Sequence, residues 1–437
     1  MHYKGGIIIL FERLKQLPFF YGWVVLGLSF LGLFATFGIR ASFGAYVIPW
    51  EDEFAISRTT VTFISTLSLI TYATFQPIAG RLSDRYGTRL VLAVSLLLAG
   101  TALILASMAN QLWQLTFLYG IVASIGLAGA SNVTATAIVA HWFVEKRGLA
   151  MGLVLSGMAV GQLVVTPVSL YLIANYNWRL SLFVISAIII IILPICYLFV
   201  RSKPEDMGLQ PYGEKHEAVT VQAVSSSNKK INSDSIFAVM KERVFWFLTI
   251  PYFICGFTDV GLIGTHFIPF AEGKSFSVII IGTVVAIIAT FNIVGTIGTG
   301  YLSDRLSRSK LLAMIYWIRG VMFILVITAE NPVLLYVFAV LYGVTEMASI
   351  APTSSLCAHL FKQYSIGAVF GFVSVSHQLG AALGSLVPGV LFDLTGSYSM
   401  VFVMSIILLW GSGLLVMMVS DTQKINVALP ESNSLKT

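Results

Sequence analysis

The chain has 437 residues, of which 57% are hydrophobic and only 11% are charged, with a formal net charge of +6. A water-soluble domain carries roughly 25% charged residues, so this composition excludes an ordinary soluble protein and indicates several membrane spans. A nucleic-acid-binding protein is also excluded, because no segment gathers basic residues on a soluble face.

Apolar runs long enough to cross a bilayer follow one another along the chain. A hydrocarbon core of about 30 Å is crossed by roughly 20 helical residues. The predicted spans are 22–48, 58–79, 90–109, 112–138, 148–174, 179–200, 245–271, 277–301, 310–329, 332–358, 366–392 and 396–419. The sequence therefore predicts an all-α membrane protein with twelve transmembrane helices in two groups of six.

The polar segments outside the spans divide the chain. Residues 201–243 are predicted to form a flexible cytoplasmic linker between an N-terminal half, 1–200, and a C-terminal half, 244–437. Residues 1–17 form a short basic and apolar lead, and the apolar run after Pro18 is too long for a signal-peptide core. The three cysteines lie in apolar runs without a metal or redox spacing, so we expect packing roles.

The basic residues predict the orientation of the chain in the membrane. If both termini are cytoplasmic, the outer loops hold only Arg58, Arg179 and Lys274 of the 26 basic residues. Arg40 and Arg319 lie within spans, and all the others are on the inner side. Because cytoplasmic loops carry the excess of Lys and Arg, we expect both termini to be cytoplasmic, in a cell membrane such as the bacterial inner membrane.

A short charged motif occurs twice, each time between two apolar runs. Residues 80–89 read GRLSDRYGTR, and residues 300–310 read GYLSDRLSRSK. The same offset of 220 aligns Phe37, Gly44, Pro49 and Ser57 with Phe257, Gly264, Pro269 and Ser277, and an offset of 219 aligns Gly148, Gly152 and Gly161 with Gly367, Gly371 and Gly380. Such parallel repeats are typical of transporters with a binding site between their two halves.

These motifs and the six-plus-six layout resemble the major facilitator superfamily over nearly the whole chain. The segment Trp142–Gly152, WFVEKRGLAMG, together with the FYGW of residues 20–23 and the DLTGSY of residues 393–398, resembles the bacterial monocarboxylate-porter and oxalate/formate-antiporter group. The resemblance implies the major facilitator fold, with two pseudo-symmetric six-helix bundles and a cavity lined by helices 1 and 7. It also implies a transporter that needs no cofactor, and we expect a functional monomer.

The repeated motif is predicted to act as a conformational latch on the cytoplasmic side. Glycine permits close helix approach in membranes, and a carboxylate is favourable near a helix N-terminus. In the resembled family this cluster holds the cytoplasmic side closed and breaks when the cavity turns inward. The predicted latch residues are Gly80, Asp84, Arg85, Gly87, Arg89, Gly300, Asp304 and Arg305.

Charged residues within the spans are the candidate substrate and coupling residues, because intramembrane charges are costly unless they are paired or hydrated. Arg40 lies nine residues before Pro49, and Asp259 lies ten residues before the repeat-equivalent Pro269. Their similar depth on helices 1 and 7 predicts that they face each other or a shared substrate. Arg40 suits an anionic group and Asp259 a coupled proton, whereas a permanent salt bridge is the alternative.

Arg319 on helix 9 and Glu346 on helix 10 lie at matching depths within the C-terminal half. They are predicted to form a buried intramembrane pair with a structural or coupling role. Helix 9 is peripheral in the resembled fold, which argues against direct substrate contact.

Five uncharged polar or histidine side chains complete the candidate substrate and coupling site: His266, His377, Gln162, Tyr119 and Asn292. Histidine titrates in the range needed for proton handling, although a lone membrane histidine is often only a hydrogen-bond partner. Gln162 and His377–Gln378 occupy corresponding regions of helices 5 and 11 and predict a polar patch in the cavity.

The predicted function is secondary active transport of a small organic anion, such as a monocarboxylate, with proton coupling by alternating access. The alternatives are an efflux porter for a larger metabolite, drug or siderophore-like compound, and a transport-inactive sensor. Drug antiporters of the resembled superfamily usually carry an Arg in helix 4 and a Gly-Pro-x-x-Gly-Gly run in helix 5. Both features are missing here. Helix 8 lacks the basic residue that carboxylate porters often have, so anion binding depends on Arg40. Nucleotide-binding and metalloprotease motifs are absent from the sequence, and no metal site is expected.

Overall fold

Twelve helices long and apolar enough to cross a membrane dominate the computed structural model, which describes residues 20–213, 239–303, 305–361 and 366–419. In chain order, α1 to α12 are Gly22–Ala41, Arg58–Tyr86, Thr88–Ser107, Leu112–Val139, Leu149–Asn175, Trp178–Phe199, Arg243–Gly273, Val278–Ser303, Arg308–Ile327, Pro332–Leu360, Val369–Thr395 and Ser399–Met417. A second helix, Phe43–Phe54, continues α1 beyond Ser42. The prediction of twelve spans is confirmed.

The helices form two bundles of six, each with its own apolar core. Within the bundles α1 packs on α5, α3 on α6, α7 on α11 and α9 on α12. Between them α2 packs on α11, α5 on α8, and the Phe43–Phe54 helix on the last part of α7. Because these contacts are related by the sequence repeat, the predicted pair of pseudo-symmetric bundles is confirmed. The face where α1 begins and α12 ends is called the terminal face, and the other is called the opposite face.

Two glycines hold equivalent helix pairs in close contact. A Cβ atom added at Gly161 on α5 would overlap the carbonyl oxygen of Phe34 on α1. A Cβ atom added at Gly380 on α11 would overlap the carbonyl oxygen of Phe253 on α7. Each residue of the second pair lies 219 positions after its counterpart in the first. Both bundles therefore use the same backbone contact, which only glycine permits.

The segment predicted to be a flexible linker begins with an ordered part. The N–H of Tyr212 donates to the carbonyl of Trp142 at 2.8 Å, and the carbonyl of Tyr212 accepts from Val144 and Glu145. The Tyr212 ring also packs against Phe143. Residues 201–213 are thus fixed to the first bundle, because their backbone and aromatic groups find partners there. Residues 214–238 and the N-terminal lead, 1–17, lie outside the described residues.

The two bundles are joined at the opposite face through the start of α2. The carboxylate of Asp393, on α11, accepts the backbone N–H of Arg58 at 3.1 Å and that of Thr59 at 2.8 Å. It also accepts the hydroxyl of Thr59. An acidic residue of one bundle thereby caps the positive helix N-terminus of the other.

The Arg58 side chain extends this junction. It binds both carboxylate oxygens of Glu51, with the Nη2–Oε2 distance 2.7 Å. Its Nη1 donates to the hydroxyl of Tyr398 at 2.7 Å, and its guanidinium carbon lies 4.4 Å from the centre of the Phe392 ring. We call these interactions of Asp393 and Arg58 the gate contacts, and they close the space between the bundles at the opposite face.

The glycine contacts predict different stabilities for matched substitutions. Gly380→Ala and Gly161→Ala should each lower the free energy of unfolding by about 1–3 kcal/mol, the usual cost of overpacking. Gly152→Ala and Gly371→Ala, where a Cβ atom has no neighbour within 4 Å, should be neutral or stabilising, because alanine favours the helix by about 1 kcal/mol. Thermal unfolding of the four purified variants in detergent measures the difference. Equal stability of all four would contradict the role of the contacts.

Removing the capping carboxylate should shift the protein toward a state that is open at the opposite face. Asp393→Ala removes charge-assisted bonds worth about 1.5–3 kcal/mol, and each 1.4 kcal/mol changes a population ratio about tenfold. Spin labels on cysteines introduced at Tyr176 and Glu330, both exposed in opposite-face loops, should report a longer distance component. The native cysteines are buried, which favours selective labelling. The control is Asp52→Ala, an exposed acid on the same face; identical distance distributions in the two variants would refute the gate.

Candidate functional site

A cavity of about 630 Å³ lies between the two bundles. Its wall comes from α1, α2, α4 and α5 of the first bundle and from α7, α10 and α11 of the second. At its closed end the hydroxyl oxygens of Ser65 and Thr265 are 3.4 Å apart, and Thr265 donates to the hydroxyl of Ser385 at 3.2 Å. The wall continues to Ile350 and Phe370 near the terminal face, so the cavity extends toward that face.

Arg40 places a positive charge on the first-bundle wall of the cavity. Its guanidinium carbon lies 3.7 Å from the centre of the Tyr72 ring, which is a cation–π contact. The ion pairs found among the described residues do not include Arg40, whose side chain is half-buried. Stacking on Tyr72 orients the guanidinium, and its N–H groups remain suited to an anionic ligand.

Asp259 faces the same cavity from α7 and is only 6% exposed. It lies in the π-helical segment Phe257–Ile263, a type of helix distortion that is frequent at functional sites. The hydroxyl of Tyr342 donates to Asp259 Oδ1 at 2.8 Å, and Arg319 Nη1 lies 3.9 Å from Oδ2. Arg40 and Asp259, predicted to face each other, therefore share one cavity, while the ion-pair partner of Asp259 is Arg319.

Arg319 on α9 is fully buried and binds groups from two neighbouring helices. Its Nη1 donates to Cys255 Sγ at 3.1 Å. Its Nη2 donates to the backbone carbonyl of Glu346 at 2.8 Å and to that of Thr345. The predicted side-chain pair of Arg319 with Glu346 is wrong, because the guanidinium contacts the Glu346 backbone and takes Asp259 as its acidic partner.

A break in α10 explains why this guanidinium binds the backbone. Regular helix ends at Glu346 and resumes at Ile350. The N–H of Ile350 donates to the carbonyl of Met347, three residues earlier, and leaves the carbonyl of Glu346 without this helical partner. The Arg319 side chain supplies the missing donor. Depth along a helix, which sequence predicts, contains no information about such a break.

The Glu346 side chain itself points to a different partner. Asn292 on α8, which is 1% exposed, donates from Nδ2 to Glu346 Oε2. The Oδ1 of Asn292 accepts the N–H of Met347 at 3.2 Å. Glu346 also lines the cavity, whereas Asn292 lies behind it. The candidate residue Asn292 therefore supports the acid and the helix break and does not belong to the cavity wall.

His266 is fully buried away from the cavity wall. Its Nε2 lies 2.8 Å from the carbonyl of Ser385, which can only accept, so this nitrogen carries the hydrogen. Its Nδ1 lies 3.0 Å from the hydroxyl of Tyr398, which already accepts from Arg58 and can donate its own hydrogen to the ring. Both ring nitrogens of this candidate are thus engaged in supporting the gate contacts.

His377 does line the cavity, and its ring centre lies 4.7 Å from that of Tyr252. Its ring nitrogen, Cys255 Sγ and an Asp259 oxygen lie within 4.8 Å of one another. These are ligand types for a transition metal. However, the guanidinium of Arg319 already contacts the sulfur and pairs with the carboxylate, so a second cation there would be repelled.

Tyr119 and Gln162 lie on the first-bundle wall of the cavity. The Tyr119 ring packs against Trp50 with 5.6 Å between centres. The Oε1 of Gln162 is buried without a hydrogen-bond partner among the described residues. A buried polar atom left without a partner is unfavourable, so this amide is suited to a ligand in the cavity.

Sequence reasoning missed three polar residues of the site: Tyr72, Gln76 and Tyr342. The first two line the cavity one turn apart on α2, and Gln76 donates to Asn132 at 3.2 Å. The signal was available, since Ser65, Ser68, Tyr72 and Gln76 recur at the three- and four-residue spacing of one helix face. Tyr342 carried no such signal, because it lies among other aromatic residues of α10.

The charged motif after α2 is bound to its own bundle in this structure. Gly87 has a φ of +85°, which explains the glycine. Arg89 donates from Nε to the carbonyl of Tyr197 at 2.7 Å, and its N–H donates to the hydroxyl of Ser202 at 3.1 Å. The other charged residues of the predicted latch within the described part of the chain, Asp84, Arg85 and Arg305, are exposed.

The two glycines expected to permit close helix contact make none here. A Cβ atom added at Gly80 would meet only Val133, at 3.7 Å, and one added at Gly300 would meet nothing within 4 Å. Asp304 lies outside the described residues.

Sequence and structure comparisons identify relatives over nearly the whole chain. The sequence profile of the Major Facilitator Superfamily matches residues 28–318 and 276–433. The MFS-type transporter YcxA of Bacillus subtilis (strain 168) is 24% identical over 396 residues, covering 88% of this chain and 92% of that protein. Monocarboxylate transporter 13 of Rattus norvegicus is 25% identical over 402 residues, covering 91% and 88%.

The fold has a solved counterpart as well. A bacterial homolog to the human lysosomal transporter Spinster, in an inward-facing and unoccupied conformation, superimposes with a TM-score of 0.66. It is 14% identical, and the match covers 91% of this chain and 95% of that one. With the twelve helices, the two bundles and the cavity between them, the profile match shows that the chain belongs to the Major Facilitator Superfamily and is a multi-pass membrane transporter.

Proposed function

We propose that this transporter moves a small organic anion, such as a monocarboxylate, together with protons by alternating access. The observation that carries the proposal is the stacked, half-buried guanidinium of Arg40 in the cavity between the bundles. An intramembrane charge marks a substrate or ion site by default. Alternating access requires a site between two moving halves, and the position of this cavity between the two bundles supports the proposal.

The chemistry of Arg40 favours a carboxylate substrate. A guanidinium binds a carboxylate through two parallel hydrogen bonds and stays charged at all physiological pH values. Arg319, the other arginine deep inside the described spans, already has partners on α7 and α10. The name of the related rat protein, Monocarboxylate transporter 13, supports the same class of substrate.

The acidic groups on the second-bundle wall provide for proton coupling. Asp259 and Glu346 both line the cavity, and acids inside a membrane are typical elements of proton relays. The carboxylate on Arg40 and a proton on this acidic wall would neutralise the two charges that the empty site exposes. Transport of the carboxylate would therefore favour transport of the proton, and transport of the proton would favour that of the carboxylate.

The orientation of the cavity is part of the proposal. The distribution of basic residues favours a cytoplasmic terminal face in a cell membrane such as the bacterial inner membrane. The cavity would then extend toward the cytoplasm, and the gate contacts would close the outer side. The latch motif Gly80–Arg89 and its repeat would engage when the cavity opens outward in the single functional chain.

A larger organic substrate is the second candidate, and the size of the cavity favours it. The volume of about 630 Å³ falls in the 300–1,000 Å³ range of sites for drug-sized ligands. Phe37, Leu69 and Phe370 add apolar wall that a small carboxylate would not fill. Uptake of a panel of carboxylates of increasing size into proteoliposomes, at two pH values, distinguishes the candidates. Transport confined to uncharged compounds would overturn the proposal.

The proposal predicts a strong effect of a conservative change at Arg40. Arg40→Lys keeps the charge but loses the bidentate contact and the stacking on Tyr72, and loss of such a contact costs about 1.5–3 kcal/mol. The KM for carboxylate uptake should therefore rise roughly ten- to a hundredfold. Arg243→Lys, at an exposed position at the start of α7, is the matched control. A KM that is unchanged in Arg40→Lys would exclude the residue from substrate binding.

A further inference from the structure

Asp259 and Glu346 belong to one cluster on the second-bundle wall of the cavity. The Arg319 guanidinium joins the two residues, with Nη1 3.9 Å from Asp259 Oδ2 and Nη2 donating to the Glu346 backbone carbonyl at 2.8 Å. The other titratable groups around the two acids are Tyr252, Cys255, Tyr316, Tyr342 and His377, and α8 contributes the neutral Asn292.

Two acids face this part of the cavity, whereas the ion pair found there among the described residues joins Arg319 to Asp259 alone. A carboxylate in a membrane interior is costly unless a neighbouring charge or a proton compensates it. The acid without an ion-pair partner is therefore the site suited to a transported proton.

The surrounding contacts decide which acid keeps the negative charge. Asp259 has the guanidinium of Arg319 at 3.9 Å and receives the hydroxyl hydrogen of Tyr342 at 2.8 Å. Among the described residues, the hydrogen-bond donor to the Glu346 carboxyl is the neutral amide of Asn292, while Arg319 donates to the Glu346 backbone carbonyl. A cation stabilises a carboxylate more than an amide does, so the charge belongs on Asp259 and the hydrogen on Glu346.

We propose that Glu346 binds and releases the transported proton, with Arg319 as the positioning residue that pairs with Asp259 and keeps it charged. This proposal rests on the proposed function. It assigns the transported proton to Glu346 instead of Asp259, the residue that the sequence analysis favours. On uptake an O–H bond forms on the Glu346 carboxylate. On release that bond breaks and the proton leaves through the cavity that Glu346 lines.

The location of the cluster couples this step to the substrate. With the proton bound, Asp259 and Arg319 cancel and the cluster is neutral, and without it the cluster carries one negative charge. Such a charge is costly in a membrane interior. A carboxylate on Arg40 adds a further negative charge to the same cavity and so favours protonation of Glu346.

Infrared difference spectroscopy tests the proton site without any substrate. The full-length protein in lipid vesicles should give the C=O stretching band of a protonated carboxyl group, which disappears as the pH is raised. Glu346→Gln should remove this band, and Glu346→Asp should keep it with a shifted midpoint. Asp259→Asn should shift the band without abolishing it. Glu330→Gln, at an exposed loop position, is the control, and a band that persists unchanged in Glu346→Gln overturns the proposal.

Transport of L-lactate separates this inference from the proposed function. One coupled proton drives about tenfold accumulation per unit of pH gradient, since one pKa unit equals 1.36 kcal/mol. Glu346→Gln should lose this accumulation while lactate exchange across the vesicle membrane continues. Accumulation equal to that of the unmodified protein would refute the assignment. If the unmodified protein does not transport lactate, the proposed function fails for this substrate, and the infrared titration still decides the role of Glu346.

Discussion

A guanidinium in the interior of a membrane protein is stable only when neighbouring groups compensate its charge and its N–H groups, and Arg319 imposes this requirement on the second bundle. Burial of a charge without a partner costs several kcal/mol. The compensation comes from the sulfur of Cys255, the carboxylate of Asp259 and two carbonyls of α10. The break in α10 makes the second of these carbonyls, that of Glu346, available to the guanidinium.

The two bundles share one helix arrangement, but α1 and α7 differ where they carry their charged residues. The offset between matched residues rises from 219 at Phe34 and Phe253 to 220 at Phe37 and Phe257, so α7 contains one more residue than α1 over this stretch. The π-helical segment of α7 begins at Phe257, and a π-bulge is the way in which a helix accommodates an extra residue. Asp259 lies within it. The extra residue of α7 thus coincides with the segment that holds Asp259 beside Arg319.

Much of the fold could be predicted from the sequence, because hydrophobic length and a repeated glycine pattern report directly on membrane spans and helix contacts. All twelve spans were found, and the Gly161–Gly380 equivalence corresponds to a real contact in both bundles. The site could be predicted only in part. The similar depth of Arg40 and Asp259 on α1 and α7 predicts that they share one cavity, as they do in the structure. The partners of Arg319 could not be predicted, because they depend on the break in α10. The engagement of His266 in the gate depends on which helix face it occupies, and a single sequence does not contain that information.

The gate contacts have a consequence for the energy of opening. The hydrogen bonds from the first turn of α2 to Asp393 and from Arg58 to Tyr398 must break when the bundles separate, whereas the Arg58–Glu51 pair lies within one bundle. Once separated, the carboxylate and the helix amides are at the membrane surface, where water replaces each lost partner. Hydration thus repays most of the broken bonds, as it does for hydrogen bonds exchanged with solvent in general. A junction whose opening costs a net of about 1.5–3 kcal/mol would suit the proposed alternating-access cycle, in which this face opens and closes.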